Sequence, residues 1–498
     1  MLVVSGEGRL VKVMYAVKFT GSRKLFILLL PAKIPTMRQL ILFITTCLTL
    51  TVGSHVIAGN GDSLLIRKFY TEALSNPVAY HNLDFLCNKI GGRLCGSPQA
   101  EKAVLWVKKV LDGMALDTVY LQPVMVTHWV RGKNESGTVI SQKSGRHSLD
   151  VCAIGGSVAT PANGITAGVV EVKSFDQLKT LGREKIEGKI VFFNRAADPA
   201  HIYTFDAYGG AVDQRARGAM QAARFGALAV IVRSSTLAHD NNPHTGIQHY
   251  ADSVKAIPAM SVSTNGADSL SAWLKADPSL KLDMHLSCIS HPESVSYNVI
   301  GEIRGTEFPK EVIAFGGHLD SWELGQGAHD DGAGVVQSIE VLRLYRALNI
   351  KPHHTLRAVI FMDEEYDQRG AHAYGAEAIR RAAAGLEKHI AAIEADRGGF
   401  TPLGFSIEGT DEQVIKIREW KSLLHPYGLW SIEKGGSGVD IRDMKPLGIP
   451  LIALVTDSQR YFDVHHSAND TFDKVNVREL ELGAAAMAAL VGLMDNNW

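Results

Sequence analysis

Cysteine is scarce in this chain: five residues in 498, no two of them in C-x-x-C spacing. A zinc site built on closely spaced thiolates is therefore not expected. A block of one charge is also missing, since 51 Lys and Arg stand against 52 Asp and Glu for a formal net charge of −1. Without a basic run the chain lacks the electrostatic footprint of a nucleic-acid binder, and no nucleic acid is expected as a partner. There are no internal repeats and no low-complexity tracts, so solenoids and long linkers are not expected either. The apolar run near the N-terminus, Leu40 to Val52, is shorter than the roughly 20 residues a membrane-spanning helix needs. No stable membrane span is expected.

What is present is a globular composition, 46% hydrophobic and 21% charged, in a chain too long for one ordinary core. Two domains are the starting expectation. The run Leu40 to Val52 follows Met37-Arg38-Gln39 and leads to small residues, with Val56-Ile57-Ala58 as a cleavage site. This is the pattern of a secretory signal peptide over residues 37–58. It implies a secreted, periplasmic or extracellular protein, lysosomal if the host is eukaryotic. Translation is expected to start at Met37, which makes residues 1–36 an artefact of start-site choice. Cys47 leaves with the signal peptide. Cys87, Cys95, Cys152 and Cys288 remain, enough for two disulfides in an oxidising compartment.

Residues 63–113 read as helical, with a break at Gly91-Gly92 and Gly96-Ser97-Pro98. Asp117 to Trp129 reads as a strand. Near Ile154-Gly155-Gly156 the pattern changes, and residues 155–290 form a small α/β module of short strands and glycine-rich joints. It holds no cluster of ligand-type residues and reads as an insertion or lid. The catalytic domain is thus expected in two parts, 59–154 and 291–498. In the second part strands (297–303, 312–315, 356–362, 390–393, 449–455) alternate with helices (333–348, 369–384, 477–494). Such alternation predicts an α/β fold, a three-layer sandwich around a mostly parallel sheet.

Open α/β sheets build sites beyond the carboxyl ends of their strands. Each polar cluster here falls at such a place: His318-Leu319-Asp320, Asp363-Glu364-Glu365, Glu394-Ala395-Asp396, and Asp463-Val464-His465-His466. Singly each has a plain explanation, a polar pair, a solvated loop or, for Asp330-Asp331, a helix N-cap. Together, in one half of the chain, they are the donor types zinc accepts, imidazole nitrogen and carboxylate oxygen. In two-metal sites the ions sit roughly 3.5–4 Å apart and clamp the reacting oxygens. Three carboxylates and one hydroxide balance four positive charges, and two neutral imidazoles complete the shell.

The phrases His318-Leu319-Asp320, Asp330-Asp331-Gly332-Ala333-Gly334, Glu364-Glu365, Glu394-Ala395-Asp396 and His466-Ser467-Ala468-Asn469-Asp470-Thr471 resemble the co-catalytic zinc aminopeptidase and glutamate carboxypeptidase family. The resemblance covers nearly everything after about Ser63, and residues 155–290 look like the protease-associated domain such enzymes carry. It implies two Zn2+ per subunit, with Asp330 bridging them, His318 and Asp396 completing one site, and Glu365 and His466 the other. Glu364 is implied as the general base and Asp320 as the partner that orients His318. His466 rather than His465 rests on the family's His-Ser/Thr-x-x-Asp-Thr pattern, and Asp330 rather than Asp331 on its distance from His318. The implied activity is hydrolysis of small peptides, dipeptides foremost, by a homodimer. The alternatives are an aminopeptidase acting on longer peptides and a non-catalytic, receptor-like binding module. The loop Gly435-Gly436-Ser437-Gly438-Val439-Asp440 either shapes the substrate pocket or is a flexible turn.

Overall fold

The strand Phe308–His318 shows why the chain forms layers. Its Val312 and Ala314 enter one apolar cluster, and Ile313 and Phe315 enter another. The strand His354–Phe361 divides the same way, with Leu356, Ala358 and Ile360 on one side and Val359 and Phe361 on the other. Side chains alternate across a strand, so two buried sets mean a sheet covered on both faces. The helices Ala333–Ala347 and Val477–Asn497 supply one cover, through Val335, Ile339 and Leu490. Tyr374 and Ala378 of the helix Arg369–Ala383, with Ile441 and Met444, supply the other. The result is the expected three-layer α/β sandwich.

This architecture comes from a computed structural model that describes residues 61–498. The expected signal peptide and the residues upstream of it lie outside the described residues. The sandwich sheet has eight strands, in spatial order Thr118–Val130, Ile289–Ile303, His354–Phe361, Phe308–His318, Lys388–Glu394, Leu451–Thr456, Pro402–Glu408 and Ser431–Lys434. Strands three to six of that order are mutually parallel, and antiparallel pairings flank them. A second eight-stranded sheet is built from residues 135–286, with the parallel set Ile165–Val172, Ile190–Phe193, Ala229–Arg233 and Ala259–Val262 at its centre. It also takes in Glu135–Ser141, Gly145–Leu149 and Val151–Ala153, which precede residue 155. Among the described residues no helix is long and apolar enough to cross a membrane. Cys87, Cys95, Cys152 and Cys288 are all buried, free thiols.

The helix Val477–Asn497 starts where Asn476 accepts the amides of Arg478 and Glu479, satisfying donors that a helix terminus leaves open. One turn in, Glu481 is buried. One of its oxygens accepts the Tyr80 amide at 3.0 Å and the other has no partner. Burial raises its pKa from the ordinary 4.5 to about 8, with buried Glu340 adding to the effect. The folded protein therefore holds a proton here that the unfolded chain releases above pH 4.5, so stability falls as pH rises from about 4.5 to 8. Glu481→Gln keeps the acceptor and removes the titration. Denaturant melts should show a gain on the order of 3–5 kcal/mol at pH 9 and little at pH 5. A difference that does not change with pH would refute this account.

Candidate active site

His318 is the last residue of its strand, Glu364 and Glu365 follow the strand His354–Phe361, and Asp396 follows Lys388–Glu394. These three strands are parallel neighbours, with His318 opposite Phe361 and Gly316 opposite Glu394. Their carboxyl ends thus bring the clusters to one edge of the sheet. Asp330 arrives from the turn ahead of the helix Ala333–Ala347, and His466 from the loop after Tyr461–Val464, with φ of 59°. A non-glycine residue held in the left-handed region is costly and marks a site where the surroundings dictate the backbone.

The carboxylate of Asp330 is the hinge of the arrangement. Its Oδ1 lies 3.3 Å from His318 Nε2, and its Oδ2 lies 3.1 Å from His466 Nε2. On the first side Asp396 Oδ1 is 3.6 Å from His318 Nε2. On the second, Glu365 Oε2 is 3.0 Å from His466 Nε2. Two potential metal-holding groups result, His318 with Asp330 and Asp396, and Asp330 with His465 and His466. His465 stacks flat on His466 at 3.6 Å and stands 3.6 Å from Asp330 Oδ2, farther than its neighbour. Asp331 is turned away and accepts the amides of His318 and Gly334.

Four of these residues each leave a buried polar atom without a hydrogen-bond partner: His318 Nε2, Asp330 Oδ2, Glu365 Oε1 and Asp396 Oδ1. Proteins generally satisfy buried polar atoms; these four converge around one carboxylate and are imidazole nitrogen and carboxylate oxygen, the donors a divalent zinc ion takes. The field agrees. Burial disfavours charge on the His318 ring, but Glu364, then Asp330 and Asp396, hold its pKa well above the usual imidazole range. His466 is raised the same way against burial, by Glu365 and Asp330. A cluster that attracts positive charge so strongly is suited to cations. Glu364 stands just outside, with Oε2 3.7 Å from His318 Nε2. Burial raises its pKa well above the ordinary carboxylate value, with nearby Asp396 and Glu365 reinforcing the rise against the opposing pull of His318.

Similarity to known proteins runs along nearly all of this frame. Carboxypeptidase Q of Bos taurus is 34% identical over 437 residues, 87% of this chain and 89% of its own length. This chain belongs to Peptidase family M28. The family's model matches residues 298–491, the segment that holds every strand-end cluster. Carboxypeptidase Q of Xenopus laevis is 36% identical to this M28 peptidase over 393 residues, 79% of this chain and 80% of the frog protein. A solved Peptidase M28 precursor from Shewanella amazonensis SB2B superimposes with a TM-score of 0.83 at 33% identity, covering 88% of this chain and 97% of its own. An aminopeptidase from Aneurinibacillus sp. strain AM-1 shares the fold at a TM-score of 0.60 and 20% identity, over 86% of this chain and 95% of its own. With this membership, the paired clusters are those of a zinc-dependent metallopeptidase.

The site of this M28 peptidase also depends on residues that hold its ligands in place, some within the sequence motifs and one, Thr245, outside them. The carboxylate of Asp320 accepts the backbone amides of Asp363, Glu364 and Glu365, while its backbone carbonyl faces His318 Nδ1 at 3.0 Å. Asp470 accepts the amides of His329 at 2.7 Å and Asp330 at 3.1 Å, fixing the turn that presents Asp330. The loop 435–440 is tethered, because the amides of Val439 and Ile441 donate to Glu394, two residues before Asp396. Thr245, from the second-sheet region, clasps His466 from both sides: its amide donates to the His466 carbonyl at 2.8 Å, and its own carbonyl lies 3.3 Å from His466 Nδ1.

Arg93 is fully buried and has no carboxylate ion pair among the described residues. Its guanidinium instead donates to the carbonyls of Leu319, Gln326 and Gly327, pinning the loop between His318 and Asp330. The only signal in the sequence was the glycine pair before it. A Cβ on Gly92 would come within 2.6 Å of Glu323 Cα, so the chain can pass there only as glycine. Arg93→Met leaves three carbonyls without their donor, each costing about 1–3 kcal/mol when buried. The variant should lose at least about 3 kcal/mol of stability in denaturant melts; a loss under about 1 kcal/mol would mean that water replaces the guanidinium.

Proposed function

We propose that this M28 peptidase hydrolyses the peptide bond of small peptides, dipeptides foremost, with Asp330 shared between two zinc ions. The reading rests on the four buried, unsatisfied donor atoms grouped around Asp330. His318, Asp330 and Asp396 would hold one ion, and Asp330, Glu365 and His466 the other, with His465 as a stacking support. When bound, zinc supplies Lewis acidity, polarising a carbonyl and lowering the pKa of a water. The chain's own residues do the rest. Glu364, with its raised pKa, takes a proton from the attacking water and returns it to the leaving amine. Asp320 holds the Glu364-Glu365 turn, and Asp470 holds the backbone of Asp330.

The size of the space supports small substrates. An open cavity of about 250 Å³ is lined by Asp330, Glu364, Glu365, Asp396 and His466 on one side. Phe205, Tyr208 and Arg215 of the second-sheet region line the other, so residues 155–290 act on this reading as a protease-associated lid over the site. The same reading makes the chain an exported homodimer. Met125 and Val295, paired across the edge ribbon and both exposed, offer an apolar contact suited to the dimer. Hydrolysis of a dipeptide panel, with bound zinc measured in parallel, tests the function. Zinc-dependent cleavage of free dipeptides is expected. Faster cleavage of longer peptides from their amino ends would shift the reading to a general aminopeptidase, and a protein that binds no zinc would favour a binding module.

A further inference from the structure

Thr245, whose carbonyl faces His466 Nδ1, belongs to a long loop of the second-sheet region. Residues 234–258 run as loop between the strands Ala229–Arg233 and Ala259–Val262, apart from one bridge of Ile247 to Gly155. Side-chain bonds therefore decide where the Thr245 carbonyl points. The Thr245 hydroxyl donates to the Ala153 carbonyl at 2.9 Å and accepts Arg131 Nη2 at 3.3 Å. Arg215 Nη1 donates to the Thr245 carbonyl itself at 3.0 Å.

Arg131 follows the edge strand Thr118–Val130, where the chain leaves the sandwich sheet for the second one. It is buried, and each nitrogen of its guanidinium is engaged. Nε donates to Glu323 Oε1 at 2.6 Å, and Nη1 donates to the Ala153 carbonyl and, at 3.4 Å, to Glu135 Oε1. Glu323 lies in the loop between His318 and Asp330. One planar fork thus ties that loop to the loop that faces His466, at angles a flexible ammonium does not enforce.

A histidine that holds a metal through Nε2 carries its proton on Nδ1, and the acceptor there fixes the ring. For His466 that acceptor is the Thr245 carbonyl, at 3.3 Å. His318 has a different one, the Asp320 carbonyl of its own segment, at 3.0 Å. A shift of Thr245 therefore reaches one metal group and not the other. Resting on the two-zinc reading, we infer that Arg131 is a positioning residue for the zinc ion held by Asp330, Glu365 and His466, acting on His466 through Thr245. The sandwich holds the first ion alone, whereas the second also needs the second-sheet region seated on it.

The test measures zinc binding against a competing chelator in the wild type, Thr245→Val and Arg131→Lys, each also combined with His466→Ala. Thr245→Val removes the hydroxyl and keeps the carbonyl, and Arg131→Lys keeps the charge beside Glu323. The wild type should hold two zinc ions. Each variant should weaken one of them by about 10- to 100-fold, the range carried by outer partners of metal-bound histidines, and leave the other unchanged. The double variant should lose no more than the larger single loss. In the His466→Ala background neither substitution should alter the zinc that remains, and in the His466 background excess zinc should restore hydrolysis. Weakening of both ions, or of the ion left in His466→Ala, would mean a general loosening of the fold and overturn the inference. Additive losses, or unchanged zinc affinity in either variant, would also overturn it and leave the peptidase reading intact. A wild type that binds fewer than two zinc ions would overturn the two-zinc reading itself. Thr245→Val keeps the test decisive even if Arg131→Lys fails to fold.

Discussion

Glu364→Gln is expected to lower kcat by about 10² to 10⁴-fold, the range a positioned general base contributes, while the protein keeps its zinc. Two features separate these outcomes. Glu364 belongs to neither group of candidate ligands, so its replacement leaves the donor set of both intact. Its carboxylate nonetheless stands 3.7 Å from His318 Nε2, at the edge of the cavity where a substrate must lie. Glutamine keeps the volume and the hydrogen bond from the Glu364 backbone amide to Asp320, but its amide cannot take a proton from water. Burial and the neighbouring acids raise the carboxyl's pKa, which brings it toward the working pH where a base is most effective. Steady-state kinetics beside metal analysis would check both parts. A variant that retained activity within tenfold would show that another group moves the proton, and one that lost its zinc would make Glu364 a ligand.

The strand-end clusters were legible in the sequence for a physical reason. A parallel strand covered on both faces is largely apolar, as Ala358 to Phe361 is, so the first polar residues after it mark the place where chain leaves the core. His318, Glu364, Glu365 and Asp396 all stand out in this way. The polar strands Glu135–Ser141 and Gly145–Leu149 did not stand out, because residues such as Ser136, Thr138 and Ser148 alternate toward solvent and read as loop. Arg93 and Arg215 were hidden for another reason. Both donate to backbone carbonyls, and a carbonyl leaves no trace in the sequence of the partner. Thr245 acts through its own backbone, so its clasp on His466 was equally invisible. All three come from parts of the chain far from the motifs; the packing of the second-sheet region against the sandwich brings Arg215 and Thr245 to the site, and Arg93 arrives from the loop before the helix Pro98–Asp112.

The largest effect should come from Asp330→Ala. Each of the two donor groups around it contains Asp330, one through Oδ1 near His318 and the other through Oδ2 near His466. Removing any other ligand subtracts from one group only. His466→Ala should therefore leave one zinc per chain, whereas Asp330→Ala should leave almost none and no measurable hydrolysis. Stability gives an independent readout. A ligand that binds only the folded state stabilises it by about 2.7 kcal/mol when present at 100 times its Kd. Wild-type protein should thus melt higher in zinc than in chelator, and Asp330→Ala should melt alike in both. The turn itself should survive, because Asp470 holds it through the amides of residues 329 and 330 rather than through the Asp330 side chain. If Asp330→Ala bound one zinc as tightly as His466→Ala does, the carboxylate would serve one ion alone. The two groups would then have to be read as separate sites that happen to be neighbours.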